Sequence, residues 1–353
     1  MRKFFLTLIL LVLAAVFLPP WLADFFGWRS LSRHLPPVEQ SIDIGGGRRI
    51  HLQQVGEGPT IVLVHGQPST AADWADLPDT LAAHDYRVIA YDRIGYGYSS
   101  RPEPGSDEGP NHYTIESNAA DLRDLLDALA IDRAALVGWS YGGEIVQSFA
   151  LASPERVSHL VLIGSVGPEW RPGTGQEDSL LATVLGSRFG EAIFGWISAV
   201  PQLSRKLTRD ALIDAFSGER AIPPTWTDYT RAYLGLPGTL RAMVEEERRN
   251  RPETLHPEEL EMPSLVIHGT DDRLVDYEVG EDLHRRLPGS KLETVFAGSH
   301  MLPVTHPALL ADKIHGLIGP GYILELEPEP EPGSEPEPEL EPEPEPEAAS
   351  VGN

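Results

Sequence analysis

Short apolar runs that alternate with amphipathic stretches constrain the fold of this chain most strongly. Between about residue 38 and residue 320, runs rich in Val, Ile and Leu alternate with segments whose apolar residues recur at helical spacing. Residues 60–64 and 87–91 are continuous apolar runs, which is typical of strands buried on both faces of a parallel sheet. Strands alternating with helices form βαβ units with right-handed crossovers. The sequence therefore predicts an α/β fold with a mostly parallel central sheet flanked by helices.

Other segments extend this pattern in both directions. Residues 42–44 and 50–55 flank three consecutive glycines at 45–47, which predicts an opening antiparallel hairpin. Further strands are predicted at 134–137, 159–163, 264–268 and 291–295, and helices at 114–130 and 144–152. We expect Glu144 to lie on an ordinary helix face, where its charge suits the helix N-terminus.

One long stretch interrupts the alternation. Residues 166–262 contain helical patterns and no convincing buried strand, so they predict an all-helical cap inserted between two parts of the core, at 38–165 and 263–320. The tryptophans that we expect to bind substrate are Trp139, Trp196 and Trp226. The alternative for each aromatic residue of the cap is that it packs the cap on itself and on the core.

The N-terminal segment, residues 1–26, has the features of a membrane anchor or a signal segment. Two basic residues precede an apolar run, and residues 4–23 supply about the 20 apolar positions that span a bilayer core. Small residues at a cleavage site are not evident, so we favour an uncleaved anchor, with secretion after cleavage as the alternative. Because Arg2 and Lys3 should stay cytoplasmic, the remaining domain is expected on the extracytoplasmic side.

Acidic residues are concentrated at the other end of the chain. The net charge is −25, and residues 325–347 hold eleven Glu and no Lys or Arg, which leaves −14 (−25 plus 11) for the rest. Alternating Pro and Glu prevent a packed core, so residues 325–353 are predicted to be a disordered tail. This charge argues against a nucleic-acid partner. The absence of Cys excludes disulfides, thiolate metal sites and a cysteine nucleophile.

Gly138-Trp139-Ser140-Tyr141-Gly142 is the motif that most clearly indicates chemistry. It follows a predicted strand and precedes a predicted helix, which is the setting in which Gly-x-Ser-x-Gly presents a nucleophilic serine on a sharp turn. The start of the helix offers free N–H groups and a positive dipole end to a developing oxyanion. Ser140 is therefore the candidate nucleophile.

A serine nucleophile needs a base and an acid that orients the base. His300 lies in a loop after the strand at 291–295, and is the candidate base. The strand at 264–268 runs into adjacent Asp271 and Asp272, either of which could be the acid. For the oxyanion, the candidate donors are the backbone N–H groups of Gln67 and Tyr141.

His65 lies in the loop after the strand at 60–64, and we expect it to hold that loop rather than act as a base. The remaining histidines have no metal-like spacing, and neither a metal nor a cofactor is implied.

This series of motifs resembles that of the α/β-hydrolase superfamily. Five motifs, which occur in this order along the chain, carry the resemblance: His65-Gly66-Gln67-Pro68, Asp92-Arg93-Ile94-Gly95, Gly138-Trp139-Ser140-Tyr141-Gly142, Gly269-Thr270-Asp271-Asp272 and Gly298-Ser299-His300. The helical insertion falls where that family carries its cap. The resemblance implies that Asp272 is the acid, with Asp271 as the fallback. It also speaks against epoxide hydrolases and haloalkane dehalogenases, whose nucleophile is an aspartate.

The resemblance implies a serine hydrolase, similar to carboxylesterases, that cleaves an ester or related acyl bond of a small apolar or aromatic substrate. The same triad serves cofactor-free haloperoxidases or perhydrolases and C–C bond hydrolases, which remain alternatives. A third alternative is a catalytically silent binding module held at the membrane, which would require broken catalytic residues.

Overall fold

The structure is a computed structural model that describes residues 40–103, 111–168, 201–249 and 255–319, with single residues between 187 and 197. The predicted anchor at 1–26, the tail at 325–353 and Trp196 lie outside the described residues. Within the described part of the chain, no helix has the length and apolar composition needed to cross a membrane.

The described residues form one sheet of eight strands. In chain order these are β1 (Gln40–Asp43), β2 (Arg49–Val55), β3 (Thr60–Val64), β4 (Arg87–Tyr91), β5 (Ala134–Trp139), β6 (Val157–Ile163), β7 (Ser264–Gly269) and β8 (Lys291–Val295). Their order across the sheet is β1-β2-β4-β3-β5-β6-β7-β8. The pairs β1–β2 and β2–β4 are antiparallel, and all later pairs are parallel. The predicted mostly parallel sheet is confirmed.

Helices cover the sheet and form the insertion. They are α1 (Leu77–Ala82), α2 (Ile115–Ala128), α3 (Tyr141–Ala152), α4 (Pro201–Ala215), α5 (Trp226–Leu234), α6 (Thr239–Arg249), α7 (Tyr277–Arg286), α8 (Leu302–Thr305) and α9 (Pro307–Ile318). Helices α4, α5 and α6 follow β6 and precede β7, so the described residues of the insertion are helical. We call residues 201–249 the cap.

Local sequence explains where several elements begin. The hairpin turns at Gly45, Gly46 and Gly47, which all have positive φ, a conformation that glycine adopts without steric cost. Thr114 is not the first residue of α2 but its N-cap, because its side chain accepts a hydrogen bond from the Ser117 amide. Helix α3 begins at Tyr141, and the predicted start at residue 144 was three residues too late because Gly142 and Gly143 in the first turn have low helix propensity.

The core lies on both faces of the central strands. Ile61 to Val64 and Leu136 to Val137 are fully buried, as parallel strands between two helical layers must be. Each such aliphatic side chain stabilises the fold by about 1.5–3 kcal/mol. The carboxyl ends of β3, β5, β7 and β8 therefore meet at one edge of a rigid sheet, and the loops that follow them start from fixed positions.

The start of α3 passes very close to the end of β3. A methyl group at Gly142 would come within 2.0 Å of the Val64 carbonyl oxygen and 2.7 Å of the His65 carbonyl oxygen. Since both contacts are with backbone, neither can yield by a side-chain rotation. Glycine at this position is therefore a condition for packing α3 against the sheet.

We predict that Gly142→Ala lowers the free energy of unfolding by about 3 kcal/mol, because the added methyl group overlaps backbone atoms. Gly316→Ala is the matched control: Gly316 is exposed in α9 and a methyl group there would meet nothing within 4 Å. The control should gain roughly 0.5–1 kcal/mol from the higher helix propensity of alanine. Denaturant unfolding followed by circular dichroism measures both; equal midpoints for the two variants would contradict the packing argument.

Candidate active site

Ser140 occupies a strained turn between β5 and α3. Its φ is 56° and its ψ is −125°, a conformation that costs a non-glycine residue about 1–3 kcal/mol. The turn is held from both sides, since the Ser140 amide donates to the Ile163 carbonyl at 3.0 Å and the Ser140 carbonyl accepts from the Gly143 amide at 2.8 Å. The hydroxyl is thereby presented at the carboxyl edge of the sheet, as the sequence motif predicts.

His300 and Asp272 meet at the same edge, in the loops after β8 and β7. His300 Nδ1 donates to Asp272 Oδ2 at 2.7 Å. Asp272 Oδ1 accepts from the amides of Leu274 and Val275, each at 2.9 Å. Burial alone would raise the pKa of Asp272, but the charge of His300 and the hydrogen bonds from His268 and His300 hold this pKa well below its ordinary value. The carboxylate is thus ionised and fixed in position.

The neighbouring Asp271 differs from Asp272 in its surroundings. Asp271 is exposed, whereas Asp272 is buried. The backbone carbonyl of Asp271 accepts a hydrogen bond from Ser217 of the cap. The carboxylate that contacts His300 is that of Asp272. Behind it, His268 Nε2 donates to the Val275 carbonyl at 2.9 Å and lies 3.5 Å from Asp272 Oδ2.

The loop after β3 brings Gln67 beside the serine. A methyl group on Gly66 would lie 2.8 Å from the Ser140 Cβ, so the loop backbone contacts the turn directly. Tyr141 is the first residue of α3, and its amide is one of the N–H groups left without a helical acceptor at a helix N-terminus. The Gln67 side chain donates to the Met243 carbonyl of α6 at 2.9 Å, and Gln67 lines both chambers that adjoin Ser140.

His65 holds this loop in the neutral state. Its Nδ1 donates to the Gly66 carbonyl at 2.8 Å and its Nε2 accepts from the Arg93 amide at 3.0 Å. Burial, and then the Arg93 guanidinium, lower the pKa of His65 to about 3. Both ring nitrogens are engaged, so His65 has the structural role expected from the sequence.

Two chambers adjoin Ser140 and His300. The first has a volume of about 230 Å³ and lies between the cap and the core, both of which line it. It is lined by Leu212, Ala215, Leu234, Leu274 and Met301, with the more polar Ser69, Asp73, Thr230 and Tyr233 among other residues. The second has a volume of about 530 Å³ and its wall includes Glu144, Val166, Met243 and Glu247. Glu144 is fully buried here, so the expectation of an ordinary helix face was wrong.

The predicted tryptophans have different positions. Trp139 is the last residue of β5, lines the first chamber, and also donates from Nε1 to the His300 carbonyl at 3.0 Å, so it supports the histidine loop. Trp226 is the first residue of α5 and lines the same chamber. Trp196 is outside the described residues. Among the described residues, no group of three or more His, Asp or Glu side chains is placed to hold a metal ion.

Comparison with known proteins agrees with this architecture. The sequence profile of the alpha/beta hydrolase fold family matches residues 59–307. The chain belongs to the α/β-hydrolase family. It is an enzyme of that family, whose relatives are named hydrolases and esterases.

Three similar proteins show the range of the family. The 2-hydroxy-6-oxo-2,4-heptadienoate hydrolase of Pseudomonas putida is 28% identical over 270 residues, covering 74% of this chain and 89% of that protein. A 2-hydroxy-6-oxononadienedioate/2-hydroxy-6-oxononatrienedioate hydrolase of Paraburkholderia phymatum is 31% identical over 266 residues, covering 73% and 86%. The structure of an esterase from Exiguobacterium antarcticum shares the fold, with a TM-score of 0.62, 21% identity and coverage of 78% and 98%.

A buried ion pair joins the cap of this α/β-hydrolase to its core. Arg93, in the loop after β4, is 1% exposed and donates to Glu246 of α6, which is 0% exposed, through bonds of 2.5 and 3.3 Å. The same guanidinium donates to the carbonyls of His65 and Gly66, each at 3.0 Å. Tyr96 also donates to Glu246, at 2.5 Å. One cap carboxylate is thus connected through Arg93 to the loop that carries Gln67.

Sequence reasoning missed Glu246 and the carboxyl of Asp73. Glu246 is one of three successive glutamates, and only the packing of α6 reveals that it pairs with Arg93 of the core, whereas Glu245 pairs with Arg248 and Arg249 of its own helix. Arg93 belongs to the Asp-Arg-x-Gly motif of the sequence. This motif predicts a loop, but it does not predict that Arg93 pairs with a carboxylate of the cap.

We predict that Glu246→Ala lowers the free energy of unfolding by about 3–5 kcal/mol, because it leaves the buried Arg93 charge without its carboxylate. Glu245→Ala on the same helix should cost less, about 1 kcal/mol, because Glu245 is buried but its partners Arg248 and Arg249 are partly exposed and stay solvated without it. Denaturant titration gives both values, and a loss for Glu246→Ala no greater than for Glu245→Ala would contradict the importance of this pair.

Proposed function

We propose that the protein is a serine hydrolase that cleaves an ester or related acyl bond through Ser140, His300 and Asp272. The observation that carries this proposal is the convergence of a strained serine turn and a buried Asp–His pair, with Ser140 and His300 in the walls of the same two chambers. Stability does not explain the serine turn, since its strained backbone costs free energy. Convergence of nucleophile, base and orienting acid is what acyl transfer requires.

In the proposed reaction His300 takes the proton of Ser140 as the hydroxyl attacks the acyl carbonyl. Asp272 holds the imidazole through Nδ1 and stabilises the imidazolium that forms. The amides of Gln67 and Tyr141 donate to the oxyanion of the tetrahedral intermediate. His300 returns the proton to the leaving group, and then activates the water that releases the acyl group from Ser140.

The chambers support a small, largely apolar acyl or aromatic substrate. Aliphatic side chains and the rings of Trp139 and Trp226 make up much of the first chamber. Phe216, Trp226, Tyr229 and Tyr233 form a chain of ring contacts at centroid distances of 5.3–6.4 Å on the cap side.

C–C bond hydrolysis is the second candidate, and it is favoured by the names of the Pseudomonas and Paraburkholderia relatives. Those names describe acids, which are anionic at neutral pH. Among the described residues that line the two chambers there is no Lys or Arg, whereas Asp73, Glu144 and Glu247 are present. Carboxylates in the walls oppose an anionic substrate, so the charge of the site favours neutral or cationic esters.

We predict that a fluorophosphonate probe labels the wild-type protein and that Ser140→Ala abolishes both this labelling and the hydrolysis of p-nitrophenyl esters. The physical reason is that the strained turn presents one hydroxyl to the base. Ser165→Ala, which changes a buried serine beyond Gly143, is a control for the loss of a neighbouring hydroxyl. Labelling of Ser140→Ala equal to that of the wild type would refute the proposal.

We also predict that Asp272→Asn lowers kcat for ester hydrolysis by roughly 10³- to 10⁴-fold, because an amide cannot fix the imidazole in the correct tautomer. Asp271→Asn should retain near-wild-type kcat, since the Asp271 side chain is exposed and it is Asp272 that contacts His300. Steady-state kinetics on one p-nitrophenyl ester compares the pair. The opposite ranking would assign the acid to Asp271.

A further inference from the structure

The first chamber has a buried carboxyl in its wall that the proposed reaction does not use. Asp73 lies in the short 3₁₀ turn Ala71–Trp74, a few residues after the loop that carries Gln67. Its exposed fraction is 2%, and it lines the chamber together with Ser140 and His300. A carboxyl in a largely apolar wall is costly, so its retention calls for a partner.

Only one oxygen of Asp73 is used by the fold. Oδ2 accepts from the Ser69 hydroxyl at 2.6 Å and from the Thr70 amide at 2.9 Å, which closes the turn. Oδ1 is buried and has no hydrogen-bond partner among the described residues. Because Oδ2 is turned back toward Ser69 and Thr70, Oδ1 is the oxygen available to a ligand.

The two tyrosine hydroxyl groups near Asp73 already have partners of their own. Tyr233 donates to the Pro68 carbonyl at 3.0 Å, and the Tyr229 hydroxyl is bonded to the Thr70 hydroxyl. The described lining of the chamber supplies no Lys or Arg that could pair with Asp73. Since no described residue donates to Oδ1, this oxygen is left to accept from the bound molecule.

We propose that Asp73 recognises a hydrogen-bond donor, a hydroxyl or a protonated amine, on the otherwise apolar acyl group of the substrate. The proposal rests on acyl transfer at Ser140 and adds the substrate class. We place the apolar acyl group in the first chamber because its described wall is largely apolar and contains one carboxyl, that of Asp73, whereas the wall of the second contains both Glu144 and Glu247.

The protonation of Asp73 provides a readout that distinguishes recognition from packing. Burial, with a contribution from the Asp92 charge, raises the pKa of Asp73 to about 7 against the hydrogen bonds from Ser69 and Thr70. The facing groups are Asp92, Tyr229 and Tyr233. Burial opposes the ionisation of Asp92, but the contact with His51 holds the pKa of Asp92 below its ordinary value. Asp92 therefore stays ionised. Burial raises the pKa of both tyrosines well above 10, so they stay neutral.

The test compares two p-nitrophenyl esters, those of 4-hydroxyphenylacetic and 4-methoxyphenylacetic acid. The first carries a donor and the second only an acceptor at the same place. Ionised Asp73 accepts from the hydroxyl, whereas neutral Asp73 can donate to the ether. The ratio of kcat/KM, hydroxy over methoxy, should therefore rise about five- to tenfold between about pH 6 and about pH 8. Proton transfers common to both esters cancel in this ratio.

Asp73→Asn is the decisive variant. Its amide oxygen must take the place of Oδ2 to accept from Ser69 and Thr70, which turns the NH₂ group toward the ligand and replaces an acceptor by a donor. The ratio should then fall below that of the wild type at about pH 8 and lose its pH dependence. Asp76→Asn, an exposed aspartate three residues later with no side-chain cap hydrogen bond, should behave as the wild type.

A wild-type ratio that is flat with pH, or an Asp73→Asn ratio equal to that of the wild type, would overturn the proposal. The wild-type pH series decides the matter even if Asp73→Asn does not fold. Failure here is separate from failure of acyl transfer. If both esters are hydrolysed equally well in a reaction that depends on Ser140, only the proposed role of Asp73 is contradicted. If hydrolysis persists in Ser140→Ala, both acyl transfer at Ser140 and the role of Asp73 are contradicted.

Discussion

The close approach of α3 to the end of β3 is the contact on which the site depends. Gly142 lets the backbone of the helix pass the Val64 carbonyl, and this approach sets the sharp turn that holds Ser140 at positive φ. This turn also places the Tyr141 amide, the first of α3, beside the Gln67 loop, because Gly66 packs directly on Ser140. The free energy that the strained serine costs is offset by the buried strands on either side.

The charges around this turn are arranged in two ways. Arg93 and Glu246 form a buried pair that connects the cap to the loop of Gln67, so the packing of the cap on the core and the placement of this proposed oxyanion donor depend on one interaction. Asp272 is ionised and surrounded by donors, whereas Asp73 faces a largely apolar chamber and has a pKa near neutrality. The pKa values of the two aspartates shift in opposite directions because Asp272 contacts two histidine rings and accepts from two backbone amides, whereas Asp73 accepts from one hydroxyl and one amide.

Much of the fold and of the candidate site can be predicted from the sequence, because strands, helices and the loops that join them depend on local sequence patterns. The strands β3, β4 and β8 lie where the patterns predict them, and the described residues of the predicted insertion are helical. The loops at the ends of parallel strands bring Ser140, Asp272 and His300 to one edge, as chain order implies. Glu246, Asp73 and the chamber wall at Glu144 could not be predicted, since inward orientation of a carboxylate on a cap helix or a short turn depends on tertiary packing. Glutamate on a helix is ordinarily a solvated residue.

Covalent trapping tests the central claim, that Ser140 becomes acylated, most directly. Wild-type protein is mixed with a p-nitrophenyl ester, quenched in acid within the first turnovers, digested, and its peptides are weighed. The account predicts a burst of p-nitrophenol and an acyl mass on the peptide that contains Ser140. Turnover of the ester without a burst, and with the acyl mass absent from that peptide or present on another residue, would contradict it.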